Sequence, residues 1–191
     1  MSLADPKGMK IAGIYNKSKV MKKQSVFILM LVSVSMIYAQ ESQETRQEKK
    51  EARKAELIQR TNNLVKSGEW QFDATFMTPA SGRGRSLTSP YRVIVKNDQA
   101  DSYLPYFGRA YKAEYGNTSS PLSFRGEISD LSVKDWKKGG WVISFTTVNG
   151  SDRLDYTFHI AETGSATLMV NSTNRQPISF SGDLTEIESR K

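Results

Sequence analysis

After Gly68 the apolar residues of this chain stop recurring every third or fourth position and begin to alternate. Trp70, Phe72, Ala74 and Phe76 are separated by Gln71, Asp73 and Thr75. A strand sends successive side chains to opposite faces, so alternation with period two predicts strands that lay one face on a core. The pattern recurs at Tyr91-Val93-Val95, with Ile94 hinting at cover on the second face, and at Leu122-Phe124-Ile128. It continues through Leu131-Val133, Trp141-Ile143-Phe145, Leu154-Tyr156-Phe158-Ile160, Ala166-Leu168-Val170 and Ile178-Phe180-Leu184. Parity switches between Ile128 and Leu131, which predicts a bulge or bend near Ser129-Asp130.

The connectors carry turn chemistry: Asn97-Asp98, Lys138-Gly139-Gly140, Asn149-Gly150, Thr163-Gly164 and Ser172-Thr173-Asn174. Asn149-Gly150 is the strongest hairpin signal, because a type I′ turn needs positive φ at both central residues. Short turns make consecutive strands antiparallel neighbours. So many half-buried strands do not fit one flat sheet. Two connectors are long, Thr78–Pro90 and Pro105–Pro121. Long loops are often functional.

Before Gly68 the period is helical. Leu57, Ile58, Thr61, Leu64 and Val65 recur at three and four residues, and Lys66-Ser67-Gly68 is a stop signal. The expected fold class is therefore mainly β: a curled antiparallel meander of eight or nine strands, barrel-like or two-layer, with one N-terminal helix. Residues 55–187 form a single β-rich domain in this reading. Residues 40–54, almost wholly charged or polar, are a helical or disordered spacer.

Residues Met21 to Ala39 read as an export signal. Lys22-Lys23 precede an apolar h-region at about residues 26–37, and Ala39 is a small residue where a signal peptidase would cut. Residues 1–39 are thus expected to be a leader, with Met21 the natural start. The apolar run is shorter than the ~20 residues a helix needs to span a bilayer, so no stable membrane span is expected after cleavage. The chain has no cysteine. That excludes a lipidated N-terminus, disulfides, thiolate metal sites and a cysteine nucleophile. The expected location is periplasmic, in a Gram-negative envelope.

The formal charge of +7 is concentrated at the start of the chain: residues 1–39 hold six lysines and one acid. From residue 40 onward, 21 basic residues face 19 acidic ones. So near-balanced a charge gives no footprint for nucleic acid.

Chemistry is sparsely signalled. His159 is the single histidine, on the polar parity of its strand, and cannot alone make a multi-histidine metal site. No Gly-x-Ser-x-Gly elbow, Walker loop or dinucleotide fingerprint occurs. No catalytic residue, metal ligand or cofactor is expected. Carboxylates are numerous, at Asp73, Asp98, Asp101, Glu114, Glu127, Asp130, Asp135, Asp152, Asp155, Glu162 and Asp183, and the sequence does not pair them. A hydrolase needs two within ~10 Å. Gly82-Arg83-Gly84-Arg85 offers an arginine fork for an anion, or simply a solvated loop.

The densest local signal is Tyr103-Leu104-Pro105-Tyr106-Phe107-Gly108-Arg109-Ala110. With Tyr111 and Tyr115 it sets five aromatic rings in thirteen residues around one arginine. Tyr103, Tyr106, Phe107 and Arg109 are the candidate ligand-binding residues, since tyrosine rings and a guanidinium stack on planar or sugar-like ligands. The same segment could instead plug one end of the barrel.

These residues carry a resemblance. Ser67–Phe72, Tyr103–Ala110, Gly164–Val170 and Ile178–Gly182, behind a signal and a charged helix, resemble the exported bacterial family known as domain of unknown function 4251. The resemblance covers about residues 48–187 and is most specific at Leu104–Ala110. It implies an envelope location and transfers no reaction and no catalytic residue. The functional expectation is a non-catalytic binding module for a small molecule, glycan or lipid. A structural or envelope-protein-binding role through the 40–54 arm and a carboxylate-dependent hydrolase are the alternatives.

Overall fold

The computed structural model describes residues 46–112 and 120–188. The expected leader 1–39, the start of the spacer and Tyr115 lie outside the described residues. Helix α1 covers residues 46–67, and nine strands follow. They are β1 Trp70–Pro79, β2 Arg85–Lys96, β3 Gln99–Tyr103, β4 Ser123–Glu127, β5 Ser129–Asp135, β6 Trp141–Asn149, β7 Asp152–Ile160, β8 Ser165–Ser172 and β9 Ile178–Thr185. All strand pairs are antiparallel, in one sheet of order β4-β3-β2-β1-β9-β8-β7-β6-β5.

The sheet curls into a nearly closed barrel. β4 and β5 are the two ends of the sheet but consecutive in the chain. They form one bent strand, whose first part bonds to β3 and whose second part bonds to β6. The bend is the expected one: Asp130 has φ 54° and the β5–β6 register slips between Ser129 and Ser132. Gly126 lies at the seam. A methyl group there would crowd Thr147 and the Val148 carbonyl on β6, so only glycine lets β4 approach this closely.

The barrel interior is packed with aromatic rings. Trp70, Phe72, Phe145, Tyr156, Phe158 and Phe180 are fully buried there. Trp70 and Phe72 meet Phe158 edge-on at 4.9 and 5.5 Å, and Phe145 stacks on Tyr156 at 5.2 Å. Each such pair contributes about 0.5–1.5 kcal/mol beyond area burial. Thr61, Leu64 and Val65 of α1 are buried, the last two within the same core cluster. Thr61 lies against the β7–β8 turn at Gly164, and Arg60 pairs with Glu186 just beyond β9.

Several details differ from the sequence reading, each for a local reason. Phe76 does not join the core face. Thr75 keeps the outward side that alternation gives it; a bulge between Ala74 and Phe76 turns Phe76 outward as well, and Met77 takes the inward place. Leu57, Leu131 and Val133 are 43%, 52% and 51% exposed, so their periodicity does not mark core. The connector Thr78–Pro90 is shorter than expected, because β2 begins at Arg85. Pro90 falls where the β1–β2 register is irregular and no ladder bond is needed. Positive φ at both central residues belongs to Asn97-Asp98 (50° and 56°), not to Asn149-Gly150. There Asn149 pairs with Asp152, leaving Gly150-Ser151 as the loop with Gly150 at φ 61°.

Candidate functional site

Of the four candidate residues of the aromatic loop, Tyr106 and Arg109 meet each other and Gln176, whereas Tyr103 and Phe107 each meet a different neighbour. Tyr103, at the end of β3, is half exposed and stacks on Tyr91 at 5.3 Å. Tyr106 is half-buried against the core, and its hydroxyl donates to the carbonyls of Arg109 and Gln176, both at 3.1 Å. Phe107 is exposed, with the Arg85 guanidinium 5.3 Å from its ring centre. Arg109 is exposed; its backbone amide donates to the Gln176 side chain and its carbonyl accepts from the Gln176 amide. Leu104 and Pro105 between them are buried.

The loop is clasped to the β8–β9 turn. Ala110 bridges to Arg175, and the Tyr111 amide donates to the Asn174 carbonyl at 2.7 Å. Gly108 is required because a methyl group there would overlap the Tyr106 hydroxyl. The turn is itself anchored on Asp152, at the start of β7. Asp152 is buried, and its carboxylate accepts from Ser172, Thr173, the Asn174 amide and Arg175. Polar groups of this segment are thus spent on holding one end of the barrel.

A second constellation lies on the outer face of the sheet. His159 on β7, Thr167 on β8 and Ser181 on β9 are register partners in one row across the strands. Ser165 and Asp183 form the adjacent row, and the Ser165 hydroxyl donates to Asp183 at 3.1 Å. Trp136 comes from the β5–β6 turn, which is closed by bonds between Trp136 and Gly139 and Gly140. Its ring lies 5.3 Å from the His159 ring at 51°. Together with Thr75, Ala161 and Gly182 these residues line a groove that crosses β7, β8, β9 and β1.

Two backbone features shape this groove. Thr75, at the β1 bulge, projects into it, and its hydroxyl donates to the Ser181 carbonyl. Gly182 forms part of its floor; a side chain there would overlap the Asp73 carbonyl. His159 Nδ1 is buried without a hydrogen-bond partner. Gln71 Oε1 and Thr147 Oγ1 are the other buried side-chain atoms without a partner among the described residues. The hydroxyls of Thr167 and Ser181 are on exposed residues facing the same space. A ring, an imidazole, a carboxylate and several hydroxyls are the equipment for gripping a polar, ring-shaped ligand.

The carboxylates offer less. Asp73 and Asp183 stand directly opposite each other on β1 and β9. Asp73 has both oxygens engaged, one by the Gln71 amide and one by the Thr185 hydroxyl, each at 2.7 Å. Among the described residues no group of three or more potential metal ligands occurs.

In the sequence His159 reads as a surface histidine and Asp183 as one of many solvated carboxylates, and that reading does not reach Trp136. The available signal was a tryptophan immediately before Lys137-Lys138-Gly139-Gly140, a turn in which a large ring cannot be interior. The outward placement of Phe76 had no signal, since the bulge depends on pairing with both β2 and β9.

The family model described as Domain of unknown function (DUF4251) matches residues 52–184. A crystal structure of a DUF4251 family protein from Bacteroides eggerthii is similar in fold. Its TM-score is 0.53 at 18% identity, covering 71% of this chain and 91% of that one. At this identity the likeness carries the fold alone. No curated protein matches the chain.

Proposed function

This chain belongs to the DUF4251 family, and we propose that it acts as a non-catalytic binding module whose ligand is a sugar. The observation that carries the reading is the placement of the Trp136 ring over His159, at the head of a groove floored by exposed hydroxyls and one carboxylate. A sugar ring has an apolar face that stacks on an indole and a rim of hydroxyls that pair with threonine, serine and carboxylate. The interior supports the same choice. Among the described residues it is lined by the protein's own aromatic rings, whereas the polar groups of the groove lie on the outer face.

The test is titration of monosaccharides and short oligosaccharides, followed by calorimetry and by the melting temperature. Trp136→Ala is expected to lower affinity at least tenfold while leaving the melting temperature of the free protein within a few degrees. If no saccharide binds, or if Trp136→Ala binds as tightly as the unaltered protein, the reading fails.

The leader-like run Met21–Ala39 supports a periplasmic address without a lipid anchor. Cell fractionation and N-terminal sequencing would test it: a periplasmic protein beginning at Gln40 is expected, and a cytoplasmic one beginning at Met1 or Met21 would overturn it. A second role, docking of an envelope protein on the charged arm 40–54, is favoured by the exposure of every residue from 46 to 57. Deleting residues 40–54 should then remove partners from an envelope pull-down; unchanged partners would dispose of this role.

A further inference from the structure

The sugar reading leaves open how much of a glycan the groove holds, and the strand register supplies a length. The row His159–Thr167–Ser181 continues without a break to Phe76 on β1. Phe76 is 38% exposed on the outer face because of the β1 bulge. Its ring rests against the bare backbone of Gly84, where even a methyl group would overlap it. One end of the row thus has the Trp136 ring over His159, and the other has the Phe76 ring.

Between β7 and β1 lie three strand spacings, or about 14 Å at ~4.8 Å each. That is about the span of three pyranose rings end to end. The stretch between the two aromatics is polar, with Thr167 and Ser181 on the row and Ser165 and Asp183 beside it. Exposed hydroxyls between two aromatic platforms suit a chain of sugars better than one sugar, which would use a single platform.

Resting on the sugar reading, we propose that the groove binds a linear oligosaccharide laid across the strands, with Trp136 and Phe76 stacking on separate residues of the chain. The bulge has a definite role in this arrangement. Without it Phe76 would point into the core by the alternation of its strand, and the second platform would not exist. The Lys138 ammonium lies over the Trp136 ring, 5.7 Å from its centre, and a sugar stacking there displaces it. A surface cation–π contact contributes only about 0.5–1 kcal/mol, which a stacked sugar replaces.

The experiment is calorimetric titration of the full chain with linear β-1,4-linked glucose and N-acetylglucosamine oligomers of one to six units. Affinity should rise steeply up to three or four units and then level. Phe76→Ala should lose about tenfold for the tetramers and leave monomers and dimers unchanged, whereas Trp136→Ala should weaken every length. Phe76→Tyr, which keeps a ring, should restore tetramer binding and exclude a general loss of structure. Binding that is lost in Trp136→Ala but shows neither length dependence nor sensitivity to Phe76→Ala would overturn the extended ligand and leave the single-sugar reading standing. If no oligomer binds, both fall.

Discussion

Arg175 donates to Asp152 at 2.6 Å, with 10% and 2% of the two side chains exposed. The remaining acceptor capacity of the carboxylate is filled by Ser172, Thr173 and the Asn174 amide. The other ion pairs found among the described residues are more exposed, and such pairs contribute about 0–1 kcal/mol each. Breaking a buried pair from one side strands the opposite charge, at a cost of about 3–5 kcal/mol. Asp152→Ala should therefore be among the most destabilising single changes, since domains of this kind have about 5–15 kcal/mol in total. Urea unfolding would measure it. A loss below about 1 kcal/mol would mean that the β8–β9 turn is held by something else.

Alkaline pH should attack the core through Tyr156. Burial pushes this phenol well above its ordinary value of 10.0. The Ser102 hydroxyl donates to the Leu122 carbonyl, so the Tyr156 hydroxyl must be the donor in its 3.1 Å bond to Ser102. The folded state keeps the proton that the unfolded chain releases above pH 10. Stability from this group is therefore fully present below pH 10 and falls as pH rises beyond it, by up to about 1.4 kcal/mol per pH unit. Tyr156→Phe should cost about 1 kcal/mol at neutral pH and flatten that alkaline slope. An unchanged slope between pH 10 and 11.5 would refute the assignment.

The strands and their inward faces were legible because a two-residue period leaves little choice where one face is buried. Phe72, Val93, Ile143, Phe158, Leu168 and Phe180 all lie in the core, on the parity the sequence assigns them. Phe76, Leu131 and Val133 were not legible. Phe76 follows a bulge that only pairing with two partners creates. Leu131 and Val133 lie on the bent strand at the barrel seam, where one edge has no neighbour to cover it. The groove was hidden for a related reason: its row of residues comes from four strands and becomes a row only once register is set. The aromatic loop was conspicuous in one dimension; its Tyr106 hydroxyl and the backbone of Arg109 and Tyr111 join the clasp onto the β8–β9 turn, while Tyr103 and Phe107 lie against Tyr91 and Arg85.

Glycine at position 182 should prove irreplaceable. It is the register partner of Ala74 on one side and Ala166 on the other, and a methyl group would overlap the Asp73 carbonyl. The obstacle is backbone and cannot rotate away. Gly182→Ala should cost about 1–3 kcal/mol through a forced shift of β1 against β9. Because β1 carries Thr75 and Phe76, the same change should also weaken oligosaccharide binding. Thermal unfolding of this variant beside Ser181→Ala, which leaves the backbone free, separates the two effects. Equal melting temperatures for the two variants would show that β1 accommodates the methyl group.

The aromatic loop and the groove make opposite predictions for the same four substitutions. If the loop is a clasp, Tyr106→Phe removes a hydroxyl that donates to the Arg109 and Gln176 carbonyls and should cost about 1 kcal/mol. Arg109→Ala should change stability by less than about 0.5 kcal/mol, because the residue contributes through its backbone amide and carbonyl, which alanine retains. Tyr103→Ala and Phe107→Ala remove half-exposed rings and should be similarly mild. None of the four should alter oligosaccharide affinity more than twofold, since the Trp136 groove is built from β1, β7, β8, β9 and the β5–β6 turn. Urea unfolding and calorimetry on the same four proteins give both readouts. Tenfold weaker binding in Arg109→Ala or Phe107→Ala, with stability intact, would move the site from the groove to the loop.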